Sequence, residues 1–334
     1  MEKIKVGVAG VGKLGTYHIQ NFMQIPSASL VAVHDINPER GNKVAEEFGL
    51  KYCQAFESLI EEVEAVTIAV PTVNHYELAA QALRSGRSVF IEKPIAATVE
   101  EGQELVDLSR KNSALFQAGH IERFNPAFRG LNLDDMNPMF IEAHRLASFD
   151  PRGSDVAVVL DLMIHDIDLV NTLVRSPIQR IDASGVSVIS DSEDLANARL
   201  QFENGCVANL TASRISFKKM RKMRLFQPDS YTSMDLLQGF SEVYRLQNLP
   251  KDAPASSPIP WGVIEKNGVR KQISYVKVQA EEKNALKAEL QSFVQANLQN
   301  ERPVVSGEDG LLALQVAQQI LDQIKLNHSK VSMV

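Results

Sequence analysis

Near its N-terminus the chain reads Ile4-Lys-Val-Gly-Val-Ala-Gly10-Val-Gly12-Lys-Leu-Gly15, an apolar run that passes directly into three spaced glycines. The run predicts a buried strand and the residues after it predict a helix, so the glycines lie in a strand-to-helix turn. Glycines at these spacings permit a tight turn and a close approach of backbone to phosphate, while the helix N-terminus attracts negative charge. The turn therefore predicts a dinucleotide-binding fold.

The same strand–helix alternation continues through about the first 120 residues. Further strands are predicted at 29–34, 65–70, 88–92 and 114–118, and further helices at 39–48, 75–85 and 99–111. Short apolar runs that alternate with helices are typical of a parallel sheet covered on both faces. We therefore predict an α/β fold in which residues 1–120 form a doubly wound Rossmann domain that binds NAD.

The second half of the chain shows longer alternating segments. Asn204-Gly205 between the runs 196–202 and 207–215 predicts a hairpin. Other strands are predicted at 139–147, 178–189, 225–227, 233–237, 242–247 and 271–278, a loop at 250–260, and helices at 280–297 and from the capping residue Ser306 to about 326. A chain of 334 residues is expected to form two domains. We predict that residues 121–334 form an α+β domain with an open, mostly antiparallel sheet.

Composition excludes several classes of protein. The net charge of −6 argues against nucleic-acid and anionic-membrane partners, and no apolar run is long enough for a signal peptide or a transmembrane helix. Two distant cysteines, Cys53 and Cys206, make neither a disulfide framework nor a metal site, so we expect a cytoplasmic protein without metal. One basic cluster, 218–224, predicts either a substrate phosphate site or a basic strand edge.

Asp35 lies twenty residues after Gly15, at the end of the second predicted strand. A carboxylate there is placed to bind a ribose 2′-hydroxyl, and it would repel a 2′-phosphate, so NAD is favoured over NADP. The nearby Arg40 leaves dual use open. Asp35 could instead be a turn residue before Asn37-Pro38.

The other predicted cofactor contacts lie where later strands end, at the edge where open α/β sheets bind ligands. Two such turns are Pro71-Thr72-Val-Asn74-His75 and Glu92-Lys93-Pro94. His75 either contacts the cofactor or only begins a helix, and Lys93 either reaches the reaction centre or is a surface lysine. The predicted cofactor-binding residues are Gly10, Gly12, Lys13, Leu14, Gly15, Asp35, Pro71, Thr72, Asn74, His75, Glu92 and Lys93.

A polar stripe crosses an otherwise apolar segment of the second half. On an α-helix, Asp161, His165, Asp168 and Thr172 fall within about 60° of one another. Buried polar groups need partners or a solvated cavity, so the stripe either lines a cleft or is a solvated face with a salt-bridged histidine.

Taken together, the glycine turn, Asp35, the 71–75 turn, Glu92-Lys93-Pro94 and Asp161-xxx-His165 resemble the glucose-fructose oxidoreductase, inositol dehydrogenase and MocA (Gfo/Idh/MocA) family over essentially the whole chain. The chain differs from that family in lacking a glycine-rich run before the Asp-xxx-His pair. The resemblance implies that the second domain binds substrate and forms a homodimer or homotetramer through its open sheet.

The resemblance also implies catalytic roles for Lys93, Asp161 and His165. A hydroxyl that delivers hydride must also lose its proton, and an imidazole titrates near neutrality, so His165 is a natural base. A cationic Lys93 would stabilise the developing alkoxide, and Asp161 would orient the pair. Whether Lys93 or His165 takes the proton stays open.

A narrower likeness involves Gly119-His-Ile-Glu-Arg123-Phe-Asn125-Pro126 and the residues around Asp161. Both resemble the UDP-N-acetylglucosamine 3-dehydrogenase branch of the family, and this predicts that Arg123, Asn125 and Arg152, with Asp161 and His165, bind substrate. The alternative is that Asn125-Pro126 caps a helix and Arg123 forms an interdomain salt bridge.

We predict an NAD-dependent oxidoreductase that takes hydride from a sugar ring hydroxyl, C3 of UDP-N-acetylglucosamine or of a related nucleotide sugar. The alternatives are a dehydrogenase of a free cyclitol or monosaccharide and a non-catalytic NAD-binding regulator. Retention of both Lys93 and His165 argues against the regulator, because a sensor needs no proton transfer.

Overall fold

The structure is a computed structural model that describes residues 2–150, 156–249, 263–266 and 269–331. The chain divides into two compact units. The first comprises Met1–Phe124 and Asn284–Gln318, and the second comprises Asn125–Lys283 and Gln319–Val334.

A parallel sheet forms the centre of the first unit. Its strands are β1 (Ile4–Ala9), β2 (Ala28–His34), β3 (Lys51–Cys53), β4 (Ala65–Ile68), β5 (Ser88–Glu92) and β6 (Phe116–Gly119). They lie in the order β3-β2-β1-β4-β5-β6, so the strand order reverses between β1 and β4. Every residue of β4 is buried, as expected for a strand covered on both faces. The carboxyl ends of β1 and β4 therefore flank the position where ligands bind in open α/β sheets.

Helices connect these strands. They are α1 (Lys13–Phe22), α2 (Pro38–Phe48), α3 (Phe56–Glu62), α4 (His75–Arg84) and α5 (Val99–Asn112). Side-chain caps begin two of them: the Asn37 side chain accepts from Arg40 N, and Thr98 forms a capping box with Glu101. These short polar side chains satisfy backbone N–H groups that a helix start leaves without a partner.

A helix from the end of the chain completes the first unit. After α6 (Pro126–Arg129) and α7 (Ile164–Val174) of the second unit come α8 (Ala285–Gln299) and α9 (Gly307–Val331), and α9 has residues in both units. Leu290, Phe293 and Val294 of α8 join the apolar cluster around β1, and the Phe293 ring lies edge-on to Phe90 at 5.8 Å between ring centres. The structure thus differs from the predicted boundary: residues 284–318 lie with the first unit, because the apolar face of α8 is buried there.

The second unit contains a nine-stranded sheet within its described residues. Its strands are β7 (Phe140–Leu146), β8 (Ile178–Val186), β9 (Leu195–Phe202), β10 (Val207–Ser213), β11 (Met220–Phe226), β12 (Ser230–Asp235), β13 (Phe240–Asn248), β14 (Val263–Lys266) and β15 (Val269–Val278). The order is β14-β15-β13-β12-β11-β7-β10-β9-β8, and the one parallel pair among these described strands is β7 with β10. The prediction of a mostly antiparallel sheet is confirmed.

Burial alternates along these strands, so one face of the sheet carries the core. In β7, Ile141, Ala143 and Arg145 are buried, and the residues between them are partly exposed. The predicted hairpin joins β9 and β10, and Gly205 at its turn has φ +86°, a backbone conformation that glycine adopts without steric cost. The alternation fixes which side chains of each strand reach the helical side of the unit.

The segment that carries the polar stripe begins as a π-helical turn, Val159–Met163, and continues as α7. Sequence periodicity predicted a regular α-helix, so the structure corrects the first turn. Asp166 of α7 is buried with Arg145 of β7, and the two form a double hydrogen bond: Nε to Oδ2 at 3.0 Å and Nη2 to Oδ1 at 2.7 Å. This pair ties the helix to the sheet.

Most predicted elements are found within a few residues of their expected ends. Sequence patterns did not predict β3, α3 or β14, and the predicted loop at 250–260 lies outside the described residues. None of the described helices combines the length and the apolar character that crossing a membrane requires.

Candidate active site

The glycine turn after β1 has the geometry that its sequence predicts. Gly10 has φ +84°, and a Cβ there would lie 2.7 Å from the Ala69 carbonyl oxygen. A Cβ on Gly15 would overlap the Gly10 carbonyl oxygen, whereas a Cβ on Gly12 would point into open space. The first and third glycines are therefore needed for close packing, and the second keeps a cradle empty at the start of α1. This cradle fits a dinucleotide phosphate.

Asp35 follows β2 and is buried. Its carboxylate accepts hydrogen bonds from Val11 N at 2.9 Å and Asn37 N at 2.8 Å, and Arg40 donates to both oxygens at 2.9 and 2.7 Å. Burial raises the pKa of Asp35, but the hydrogen bonds from Arg40, Asn37 and Val11 outweigh burial and hold the pKa below its usual value. The carboxylate is thus ionised and fixed beside the glycine turn, although it also organises the turn before α2.

A cavity of about 450 Å³ joins these features within the first unit. Its lining residues are Gly10, Gly12, His34, Asp35, Ile36, Arg40, Ala69, Val70, Pro71, Asn74, Glu77 and Leu78. Ile36 is 89% exposed beside Asp35, a position from which an aliphatic side chain can cover a planar base. The cavity brings together five predicted cofactor residues: Gly10, Gly12, Asp35, Pro71 and Asn74. Lys13, Leu14, Gly15 and Thr72 lie in the same two turns without lining it.

His75 does not face this cavity. Its ring is buried, with Nδ1 2.8 Å from the Pro94 carbonyl oxygen and Nε2 2.9 Å from the Val70 carbonyl oxygen. Burial lowers the pKa of His75 despite these two acceptors, so a neutral ring donates to one carbonyl at a time. The ring thus links the turns after β4 and β5, and the cofactor contact of His75 stays a prediction.

Glu92 ends β5 and does not line the nucleotide cavity. Its Oε1 lies 2.9 Å from Nε2 of His18, a fully buried side chain on α1. A Cβ on Gly119 would lie 3.1 Å from both Cα and Oε2 of Glu92, so the glycine makes room for the carboxylate. Burial raises the pKa of Glu92, but the His18 hydrogen bond and charge, with the charge of Lys93, keep it below its usual value. Glu92 is thus an anchored neighbour of the half-buried Lys93, and its cofactor contact stays a prediction.

The sequence did not single out His18. The available signal was its position three residues after Gly15, on the side of α1 that also carries the apolar residues Ile19 and Phe22. A histidine on a buried helical face needs a partner, but its partner lies 74 residues further along the chain.

In the second unit, Asp161 belongs to the π-helical turn, and His165 to the first turn of α7. Both are partly exposed, whereas Asp168 is buried and Thr172 donates to the Asp168 carbonyl oxygen at 2.8 Å. The predicted stripe is thus accessible at Asp161, His165 and Thr172. π-helical turns are frequent at functional sites.

Asp161 lines a cavity of about 400 Å³ within the second unit. The other lining residues are Leu146, Ala147, Ser148, Asp150, Leu162, Arg214, Lys219, Arg221 and Leu237. Arg214 is buried in its wall, with Nε 3.6 Å from Asp194 Oδ1. Two carboxylates and three cations therefore line one solvated cavity, which suits a polar ligand that carries negative charge.

The narrower substrate prediction is partly replaced by structural roles. Asn125 accepts from Ala127 N at 3.0 Å and donates to the Leu236 carbonyl oxygen at 2.8 Å, so its contacts are those of the helix-cap alternative. Arg123 lies 3.7 Å from Asp309 inside the first unit, with 9% of its side chain exposed. Both partners of this salt bridge belong to the first unit. Arg152 lies outside the described residues.

No group of three His, Cys, Asp or Glu side chains in the described parts of the chain could hold a metal ion.

Two family models match the chain. Residues 4–120 match the Gfo/Idh/MocA oxidoreductase family model with an NAD-binding Rossmann fold, and residues 123–226 match the Gfo/Idh/MocA C-terminal domain. Together they match the predicted order of an NAD-binding domain followed by a second domain, up to residue 226.

Characterised relatives agree. A UDP-N-acetylglucosamine 3-dehydrogenase from Acidithiobacillus ferrooxidans is 35% identical over 96% of this chain and 97% of its own. A solved structure of a UDP-N-acetylglucosamine 3-dehydrogenase from the same organism superposes with a TM-score of 0.85. It is 33% identical and covers 98% of this chain and 99% of its own. A myo-inositol 2-dehydrogenase from Thermotoga maritima is 25% identical over 93% of each chain. With its nucleotide cradle and full-length similarity, the chain belongs to the Gfo/Idh/MocA family of NAD-binding oxidoreductases.

Proposed function

We propose that this oxidoreductase removes hydride from a ring hydroxyl of a nucleotide sugar, C3 of UDP-N-acetylglucosamine or of a close relative. The observation that carries the proposal is the second-unit cavity, where Asp161 shares its space with Lys219 and Arg221. A ring alcohol needs a proton-handling group, and a diphosphate needs cations. The relative from A. ferrooxidans, which is similar over 96% of this chain, is a UDP-N-acetylglucosamine 3-dehydrogenase.

Residues 1–120 are proposed as the NAD-binding domain, with residues 284–318 in the same unit, and the rest of residues 121–334 as the substrate-binding and oligomerisation domain. The proposed cofactor contacts are Gly10, Gly12, Lys13, Leu14, Gly15, Asp35, Pro71, Thr72, Asn74, His75, Glu92 and Lys93. The ionised Asp35 carboxylate favours the ribose diol of NAD and repels the 2′-phosphate of NADP.

Lys93, Asp161 and His165 are the proposed catalytic residues. The substrate loses a C–H hydride and an O–H proton as its alcohol becomes a ketone, and bound NAD⁺ supplies the hydride acceptor. His165 takes the hydroxyl proton, Lys93 as a cation stabilises negative charge on that oxygen, and Asp161 holds the hydroxyl or the imidazole in orientation. In the alternative, Lys93 takes the hydroxyl proton instead of His165. The pH profiles of activity in variants of Lys93 and of His165 distinguish the two mechanisms.

The decisive experiment supplies NAD and a panel of alcohols to the purified protein and follows the absorbance of reduced nicotinamide. The panel contains UDP-N-acetylglucosamine, UDP-N-acetylgalactosamine, UDP-glucose, free N-acetylglucosamine and myo-inositol. We expect the highest kcat/KM with a UDP-linked amino sugar. Faster turnover of the inositol or the free sugar would replace the proposal with the second candidate below, and no turnover with any member would favour a non-catalytic regulator.

A dehydrogenase of a free cyclitol or monosaccharide is the second candidate. The myo-inositol 2-dehydrogenase from T. maritima, similar over 93% of this chain, favours it. Such a substrate carries no phosphate, so it would leave the cationic side of the cavity without a role.

Homodimer or homotetramer formation is also proposed. On the sheet face opposite the helices, five rings from neighbouring strands form a ladder with centres 5.1–5.8 Å apart. The rings are Phe140, Phe226, Tyr231, Tyr244 and Tyr275. A continuous aromatic surface suits burial against a second copy. Sedimentation equilibrium tests this, and a monomer at micromolar concentration would contradict it.

A cytoplasmic location is proposed as well. Its support is that Cys53 and Cys206 are both buried free thiols, which suits a reducing compartment. Fractionation of cells that express the tagged protein tests it.

A further inference from the structure

The basic cluster 218–224 is divided between the two faces of the sheet. Residues alternate along β11, and Met223 and Leu225 are buried on the helical side, which Arg221 shares by its two-residue spacing. Arg221 and Lys219 line the cavity that contains Asp161. The alternation therefore places Arg221 on the face that carries the cavity, and Lys222 and Arg224 on the opposite face.

The remaining two cations of β11 lie on the opposite face, paired with carboxylates of neighbouring strands. Lys222 Nζ lies 3.3 Å from Asp235 Oδ2, and Arg224 Nη1 lies 3.4 Å from Glu142 Oε2. These partly exposed pairs contribute little to stability. For two of the five cations of the cluster, these pairs fit the basic strand edge, the alternative that the sequence left open.

The described lining residues of the cavity include side chains of both charges. Arg214, Lys219 and Arg221 face Asp150 and Asp161. Arg214 is buried in the wall beside Asp194, so the exposed cations of the cavity are Lys219 and Arg221. A planar guanidinium binds two phosphate oxygens at once, and a flexible ammonium can meet a second phosphate group.

We propose that Lys219 and Arg221 form the diphosphate subsite of the substrate cavity, with Arg221 as the main determinant that selects nucleoside diphosphate sugars over free sugars. The inference rests on the proposed function, since it assumes that the alcohol bound near Asp161 is the sugar of such a molecule. It also gives a role to Lys219 and Arg221, the two cations of the basic cluster that line the cavity.

The test measures UDP binding by calorimetry to protein saturated with NADH, so that it does not depend on turnover. The cavity variants are Arg221→Ala and Lys219→Ala, and the matched controls are Lys222→Ala and Arg224→Ala from the same cluster on the opposite face. A charge-assisted hydrogen bond contributes enough that we expect Arg221→Ala to raise the Kd of UDP about 10-fold to 100-fold. Lys219→Ala should raise it less, and each control should change it less than about 2-fold.

Arg221→Lys keeps the charge but loses the paired donors, so it should recover only part of the affinity. Added salt should weaken UDP binding in the wild type more than in Arg221→Ala. Because Arg221 and Lys219 are exposed, their variants should melt like the wild type, which a thermal scan checks.

Three results would overturn the subsite: no UDP binding to the wild type, equal weakening by all four alanine variants, or N-acetylglucosamine 1-phosphate binding as tightly as UDP. Turnover of a UDP-sugar with an unchanged KM in Arg221→Ala would also overturn it while leaving the proposed function intact. Conversely, Arg221-dependent UDP binding without oxidation of any UDP-sugar would support the subsite and refute the proposed function.

Discussion

Replacing His18 by leucine tests whether a buried pair holds the turn that carries Lys93. Nε2 of His18 lies 2.9 Å from Oε1 of Glu92, with His18 fully buried and 14% of the Glu92 side chain exposed. Leucine is close to histidine in volume but offers no ring nitrogen, so the substitution removes the hydrogen bond and the charge with little change in packing.

The size of the effect follows from the burial of the two groups. Losing one hydrogen bond to a charged group costs about 1.5–3 kcal/mol. Because His18 is fully buried and little of Glu92 is reached by water, we expect the upper part of that range, about 2–3 kcal/mol in the free energy of unfolding. His18→Gln keeps an amide donor and should lose about half as much.

Activity should fall together with stability, because Lys93 is the next residue in the chain. A displacement of a reactive group by about 1 Å can cost about 100-fold, so kcat in His18→Leu should fall about 10-fold to 100-fold. The Kd of NAD should change little, since Glu92 does not line the nucleotide cavity.

Urea unfolding followed by circular dichroism, calorimetric titration with NAD and steady-state kinetics measure the three quantities. Wild-type stability and kcat in His18→Leu would show that the pair has no positioning role. A glutamine variant as impaired as the leucine variant would show that hydrogen bonding to Glu92 is not the cause.

Three further predictions concern other groups. Replacing His165 by asparagine or Lys93 by methionine should lower kcat about 10²-fold to 10⁴-fold with NAD affinity nearly unchanged, and normal turnover would remove these residues from the chemistry. Asp35→Ala should raise the Kd of NAD and reduce discrimination against NADP, which titration with each cofactor measures. Burial raises the pKa of Asp194, but hydrogen bonds from Ile189, Ser190 and Val188 hold it well below the usual value. Its stabilisation is therefore present above about pH 4 and lost as the pH falls further, so the stability gap between wild type and Asp194→Asn should close in acid unfolding curves; a constant gap would contradict this.

The fold of the first unit could be predicted because its signals are local. Strands with buried apolar runs, a glycine turn and side-chain caps each act over a few neighbouring residues. The missed elements lack such signals: β3 has only three residues, and α3 has seven residues and no side-chain cap. Short elements are stabilised by their neighbours in the fold rather than by their own sequence.

Local sequence patterns do not determine which unit the helix α8 packs against. The apolar face of α8 predicts burial, but nothing local tells whether it packs on the first or the second unit. Phe293 meets Phe90 across about 200 positions of sequence, and such a contact depends on how the whole chain folds. Because the sequence does not show such contacts, residues 284–318 were predicted to lie with the second domain, which they follow in the chain.

The candidate site shows the same division. Gly10, Gly12 and Asp35 were recognisable because their roles depend on backbone turns close in sequence. His75 and Asn125 also have the right chemistry for a site, but their side chains contact main-chain groups from other parts of the chain, which the sequence did not predict. The π-helical turn at Asp161 was not predictable either, since the four-residue spacing to His165 suits an α-helix equally well.

Both reactive positions of the proposed mechanism sit beside an anchored carboxylate. Lys93 follows Glu92, which is fixed by His18, and His165 precedes Asp166, which is fixed by two hydrogen bonds from Arg145. Lys93 and His165 are both partly exposed, as suits side chains that exchange protons. A buried, hydrogen-bonded carboxylate on the adjacent residue fixes the backbone while leaving the next side chain accessible, since breaking hydrogen bonds to a buried charged group is costly. The anchors therefore explain how partly exposed side chains can keep the definite geometry that hydride and proton transfer require.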